Sequence, residues 1–227
     1  MGFQTFRRPV QNGLDVMTSL LLGSKYSLGI AVSVVCITLL IGLLLGSVAG
    51  FVGGWADYLV MRIVDLVLGL PSFLIILSII AILQESTLVN LILALSVTAW
   101  ANYVRLVRGE ILNIKTKEYI LSAQALGLSW LRILVKHIWP NLLAPLITQA
   151  SFHMAAIIIV ESSLSFLGLG LSPQTPTWGS LLGAGRQYLM EAPHLSIFPA
   201  ICILLVVLCF NLIGDGLRDY LDPRHTG

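Results

Sequence analysis

An all-α, polytopic membrane protein is the fold class that the sequence predicts, and three observations predict it. Of the 227 residues 57% are hydrophobic and only 11% charged, with a mean hydropathy of +0.92. A soluble domain carries about a quarter charged residues, so part of this chain's surface must face lipid. The apolar residues fall in five unbroken stretches, and the lysines and arginines gather between particular pairs of them. Unbroken runs argue for helices rather than for the alternating strands of a barrel.

A helix needs roughly 20 apolar residues to cross the hydrocarbon core. The first stretch runs from about Leu28 to Gly50, the second from Ile63 to Leu83 and the third from Leu88 to Val104. The fourth runs from Leu142 to Leu167 and the fifth from Ile197 to Ile213. Gly42, Gly46 and Gly50 sit four apart in the first, a spacing that lets two helix backbones approach closely. Pro71 interrupts the second and predicts a kink there.

Charge gives the orientation. Arg105, Arg108, Lys115, Lys117, Arg132 and Lys136 crowd the segment between the third and fourth spans, which the positive-inside rule places in the cytoplasm. Alternation then puts the Gly53–Arg62 turn and the C-terminal tail inside, and the Gln84–Thr87 turn and the Gly168–Leu195 loop outside. Arg62, Arg218 and Arg224 join the inner set, leaving Arg7, Arg8, Lys25 and Arg186 outside. The outer placement of Arg7, Arg8 and Lys25 fits the rule badly. No cleavable signal peptide is visible, because Met1 to Asn12 has no apolar core.

Within the inner segment, Glu118 to Leu126 reads as a helix that Gly127 ends with positive φ. Ser129 caps a second helix that Pro140 ends or kinks. Ser122, Ala123 and Ala125 make the first helix thin on one side. Two readings follow: a helix for a partner's groove, or an amphipathic helix on the inner leaflet. A DNA-binding helix-turn-helix has the same outline, but only Lys115 and Lys117 stand at its entrance as phosphate-binding cations.

The remaining chemistry is sparse. Cys36, Cys202 and Cys209 lie in apolar runs without a CxxC pair, as buried thiols do, and the lone His153 reads as packing rather than as a nickel ligand. Glu161, late in the fourth span, must face protein or a water-filled path; it is a candidate path-lining residue with Trp100, or a structural hydrogen-bond acceptor. Asp65 is expected to pair with Arg62 on its own helix, and Arg218 with Asp215 and Asp222. Arg105 and Arg108 are expected to snorkel to head groups.

Ser122-Ala123, Gly127 and Pro140, thirteen residues after the glycine, resemble the cytoplasmic signature of ATP-binding-cassette importer permeases. That signature is EAA, three residues, Gly, nine residues, Ile-x-Leu-Pro. Here Leu121 replaces its Glu, Ser122 its first Ala, His137 its Ile and Trp139 its Leu. Further blocks resemble the C-type permease subunit of dipeptide, oligopeptide and nickel importers. They are Asn12 to Val16, Gly53-Gly54-Trp55 with Asp65 and Leu70-Pro71-Ser72, Arg105 to Glu110, Glu161 to Gly170 with Pro173, Pro176 and Trp178-Gly179, and Asn211 to Arg224.

The resemblance implies a type I importer core of about five transmembrane helices with a cytoplasmic coupling helix. Its ATPase-contacting residues would be Tyr119, Leu121, Ser122, Ala123, Ala125, Leu126, Gly127 and Pro140. It implies an N-terminal extracytoplasmic segment over residues 1–27, a permease domain over 28–221 and a cytoplasmic tail over 222–227, with the family's usual first span not represented before Asn12. The partners implied are a second related permease, two ATP-binding subunits, an extracytoplasmic substrate-binding protein and the lipid of a bacterial inner membrane, and no nucleic acid. The implied cargo is a peptide or related small solute, nickel chelates included. ATP and Mg would sit on the partner subunits, since GxxxxGK[ST] does not occur in this chain. No catalytic residue or metal site is expected. An ion-gradient-driven secondary transporter is the alternative, for which Glu161 is the one acid far from the inner face.

Overall fold

The computed structural model describes residues 9–10, 14–83, 87–171 and 175–221. Two short antiparallel strands, β1 (Pro9–Val10) and β2 (Leu14–Asp15), precede the helices. The helices are α1 (Val16–Ser47), α2 (Gly54–Leu68), α3 (Ser72–Leu83), α4 (Leu88–Ile114), α5 (Glu118–Ala125), α6 (Trp130–Ile133), α7 (Trp139–Phe166), α8 (Trp178–Gly185) and α9 (His194–Leu221). Wide, π-type turns extend α1 through Val52 and join α6 to α7 over Leu134–Ile138.

Four helical stretches are long and apolar enough to cross a bilayer: Val16–Val52, Leu88–Ile114, Trp130–Phe166 and His194–Leu221. Taken as one broken span, α2 and α3 supply the fifth, and the break falls at Gly69-Leu70-Pro71 as the proline predicts. Among the described residues the helices thus supply four spans, or five with the bent α2–α3 pair counted as one, in the predicted order.

The boundaries move in two places. The first helix begins at Val16 rather than near Leu28, because its apolar residues continue upstream past Gly23 and Lys25. The fourth begins at Trp130 rather than Leu142, and Pro140 neither ends nor breaks it. The widened turn just before that proline gives its ring room, and Asn141 Nδ2 satisfies the His137 carbonyl at 2.6 Å. A 37-residue helix is about 55 Å long, well beyond the ~30 Å hydrocarbon core, so part of each such stretch must stand outside it.

Residue packing divides the chain into two compact units. The first comprises Met1–Val34, Phe73–Leu95 and Phe152–Asn211. Its polar centre is Glu161, reached by hydroxyls from α1 and α7. The second comprises Val35–Ser72, Ser96–Ser151 and Leu212–Gly227. Here the glycine ladder of α1 lies on α4: a Cβ at Gly42, Gly46 or Gly50 would collide with Tyr103, Val107 or Ile111 respectively. Those three residues belong to an apolar cluster that also holds Ile120 and Ala123 of α5 and Ile133, Leu134 and Ile138. Gly53 (φ +69°) and Gly54 (φ +57°) turn the chain sharply into α2 with a backbone open mainly to glycine.

The tail 222–227, residues 84–86 of the outer turn, Arg7, Arg8, Asn12, Gly13, Pro173 and the Asp222 partner proposed for Arg218 lie outside the described residues.

Candidate functional site

The α5 segment is built to be held still while most of it stays exposed. Lys117 is extended (φ −72°, ψ 143°), and its carbonyl accepts from Ile120 and Leu121 to start the helix. Glu118 places an acidic side chain in the first turn, where it suits the helix dipole. At the far end Gly127 takes φ +77°; its N–H donates to Gln124 O at 2.9 Å, and Leu128 N–H donates to Ala123 O at 3.2 Å. This pair of bonds is the Schellman termination, which satisfies the helix's last carbonyls.

Ile120 and Ala123, three apart on one face, are the buried anchors. Tyr119, Leu121, Ser122, Ala125 and Leu126 are exposed, Leu126 to 81%. Tyr119, Leu121 and Leu126 on this capped helix form an apolar surface that the described residues leave open to a large extent. Trp130 and Leu131, half exposed, extend it, and the Trp130 ring lies 6.2 Å from that of Phe51. Ser129 sits at the N-cap of α6 as predicted, but its side chain makes no capping bond. Pro140 is exposed at the start of α7.

The two candidate path residues have different surroundings. Trp100 is half-buried against Val64, Ala101 and Val104. Glu161 is wholly buried and accepts from Ser27 (3.2 Å), Ser165 (2.8 Å) and Ser162 (3.5 Å). Ser162 and Ser165 follow Glu161 by one and four residues, whereas Ser27 comes from α1 and has no local signal. The shell fits the structural reading of Glu161.

Two charge pairings differ from expectation. Asp65 pairs with Arg105 at 2.8 Å rather than with Arg62, because its side chain reaches α4. Arg108 forks onto Asp57, its Nη2 donating to Oδ2 at 2.7 Å and its Nε to Oδ1. Both arginines are thus held by carboxylates of α2 instead of snorkelling free. Lys115 Nζ donates to Gly50 O at 3.1 Å, capping the wide turn that ends α1. These partners lie 40 to 65 residues away in sequence, beyond the reach of any helix-period argument. Among the described residues no three His, Cys, Asp or Glu side chains group as metal ligands would.

Long apolar helices, with a capped and exposed short helix between the third and fourth spans, define a polytopic membrane protein. The family model for the binding-protein-dependent transport system inner membrane component matches residues 42–227. The glutathione transport system permease protein GsiD of Escherichia coli O6:K15:H31 (strain 536) is 42% identical over 215 residues, covering 95% of this chain and 71% of that protein. The protein of the same name from Shigella boydii serotype 4 matches to the same extent. Among solved structures, two inward-facing crystal forms of the MetNI methionine ABC transporter superpose with TM-scores of 0.71 and 0.72. They are 21% and 20% identical, and each match covers 90% of this chain and 96% of the other. The chain belongs to the family of binding-protein-dependent transport system inner membrane components, and is a multi-pass transmembrane subunit of an ATP-binding-cassette importer.

Proposed function

We propose that this subunit pairs with a second, related permease to form the path of an importer for a peptide or similar small solute. The 42% identity to permeases named for glutathione transport supports a peptide-like cargo. Two ATP-binding subunits would hold ATP and Mg and hydrolyse the nucleotide, and an extracytoplasmic binding protein would deliver the solute. The C-terminus and the α4–α7 connection would face the cytoplasm, in keeping with the lysines and arginines between Arg105 and Lys136.

One observation carries the coupling role: α5 is anchored by Ile120 and Ala123, capped at Gly127, and presents Tyr119, Leu121, Ser122, Ala125 and Leu126 outward. A rigid helix with an apolar outer face suits a groove on an ATPase subunit. Movement of that subunit on nucleotide turnover would then be transmitted through the buried anchors to α4 and α7. Pro140 and the wide turn before it set how α7 leaves the anchor cluster.

The anchors also sharpen the residue choice. Ala123 faces its own core, so Ala125 and Leu126 are the positions at which docking can be tested without disturbing the fold. In the reconstituted importer, Ala125→Arg should lower solute-stimulated ATP hydrolysis and uptake by about tenfold or more, as loss of an interface hot spot does, with membrane insertion unchanged. Normal uptake by both Ala125→Arg and Leu126→Arg would refute the docking role.

A further inference from the structure

The carboxylate of Glu161 is the meeting point of two hydrogen-bond chains, and both begin at backbone amides in the first turn of α8. In one, Trp178 N–H donates to Ser27 Oγ (3.2 Å), which donates to Glu161 Oε2 (3.2 Å). In the other, Ser180 N–H donates to Thr177 Oγ1 (3.1 Å), Thr177 donates to Ser165 Oγ (3.4 Å), and Ser165 donates to Glu161 Oε1 (2.8 Å). Thr177 caps α8, and its own N–H donates to Ser180 Oγ at 2.9 Å. Ser27, Glu161, Ser165, Thr177 and Trp178 are all buried.

A backbone N–H can only donate, and in each chain the hydroxyl that accepts it lies within hydrogen-bond distance of the next oxygen toward Glu161, so a carboxylate that accepts at both ends lets every group of the two chains be satisfied at once. A carboxylate accepts at both oxygens, whereas a carboxamide or a carboxylic acid presents a donor at one of them. Packing leaves little slack. A Cβ at Gly179 would come within 2.6 Å of Ser162 O, and Trp178 Nε1 is tied to Leu20 O at 3.1 Å.

We propose that Glu161 is a positioning residue: a two-ended acceptor that clasps the first turn of α8 to α1 and α7, and so fixes a short helix of the Gly168–Leu195 loop, the side from which a delivery protein would approach in the importer reading. The clasp accounts for a carboxylate in an apolar span without giving it contact with solute. The part played by the delivery protein rests on the importer reading above; the clasp does not.

The test uses the assembled importer in nanodiscs with its binding protein, comparing Glu161→Gln, Ser165→Ala and the double variant. Amide hydrogen exchange over Trp178–Gly185 should rise about tenfold in each single variant, the scale of losing a buried hydrogen bond, with α5 unchanged. Because both variants cut the same chain, the double should exchange little faster than Glu161→Gln alone. The concentration of binding protein giving half-maximal ATPase stimulation should rise about tenfold, with the maximal rate kept. If Glu161→Gln fails to assemble, Ser165→Ala carries the test, since it keeps the charge and removes one link. Unchanged α8 exchange in the variants that assemble overturns the clasp, and so does a fall in maximal rate at constant half-saturation, which would assign the charge to the solute path. If α8 loosens but even the unmutated complex shows no binding-protein-dependent hydrolysis, the clasp stands and the importer reading fails.

Discussion

Replacing the glycines of α1 one at a time by alanine measures how closely α1 and α4 must approach. The two helices meet in register, Gly42 against Tyr103, Gly46 against Val107 and Gly50 against Ile111. At Gly46 an added Cβ would stand 2.7 Å from Val107 Cβ and 2.9 Å from Val104 O. Ordinary carbon contact is about 3.5–4.0 Å, so the helices must part by about 1 Å there, forfeiting up to about half the dispersion attraction of the neighbouring pairs. Overpacking of this kind costs about 1–3 kcal/mol, against which alanine's better helix propensity returns about 0.5–1 kcal/mol. Gly46→Ala should therefore destabilise by up to about 2.5 kcal/mol. Gly42→Ala should cost more, because its Cβ would overlap that of Tyr103 outright. Gly29, on the same helix with nothing within 4 Å of an added Cβ, is the internal control and should be neutral or slightly stabilised. Heating the purified protein in detergent and measuring the remaining monodisperse fraction gives the order directly. Gly42→Ala as heat-resistant as Gly29→Ala would refute close packing as the role of the ladder.

Ala123→Arg and Ala125→Arg should separate folding from docking: the first should lower the yield of folded protein, because Ala123 is buried, and the second should leave yield intact but abolish coupling, read by ATPase stimulation. A reporter fused after Gly227 should label as cytoplasmic and a tag at Thr175 as extracytoplasmic; reversed labelling at either site would remove the orientation proposed for the chain. Asp57→Asn should cost about 1.5–3 kcal/mol in thermal unfolding, as expected for losing a charge-assisted hydrogen-bonded fork with Arg108. Asp65→Asn should cost under about 1 kcal/mol, since its pair with Arg105 is more than half exposed. Equal losses at the two positions would contradict this ranking.

Features that one stretch of sequence determines alone were legible. Five apolar stretches announce five spans because a helix in lipid satisfies its own backbone, and no distant partner has to be guessed. Gly127 announced a positive φ because a helix end is a local event, and Pro71 marked its break for the same reason. The glycine spacing announced close packing but not the partner; that α4 fills the groove with Tyr103, Val107 and Ile111 is a property of the bundle. The boundary at Val16 differs because the helix continues beyond the length a bilayer requires, and the one at Trp130 because a widened turn carries the helix through Pro140.

The polar groups were the harder part, and the reason lies in how apolar spans use charge. In a soluble helix the nearest opposite charge is commonly three or four residues away, which is why Arg62 is the natural partner for Asp65. A bundle with 11% charged residues has few such neighbours, so Asp57, Asp65 and Glu161 find their partners on the helix that passes alongside. Asp57 and Asp65 accordingly reach Arg108 and Arg105 on α4, and Glu161 draws on Ser27, 134 residues earlier. Each tie converts a charge that would be costly in lipid into a statement about which helices must be adjacent. In this chain the rare polar residues therefore specify the bundle's pairing more narrowly than its abundant apolar ones, and their substitutions should disturb helix arrangement before they disturb membrane insertion.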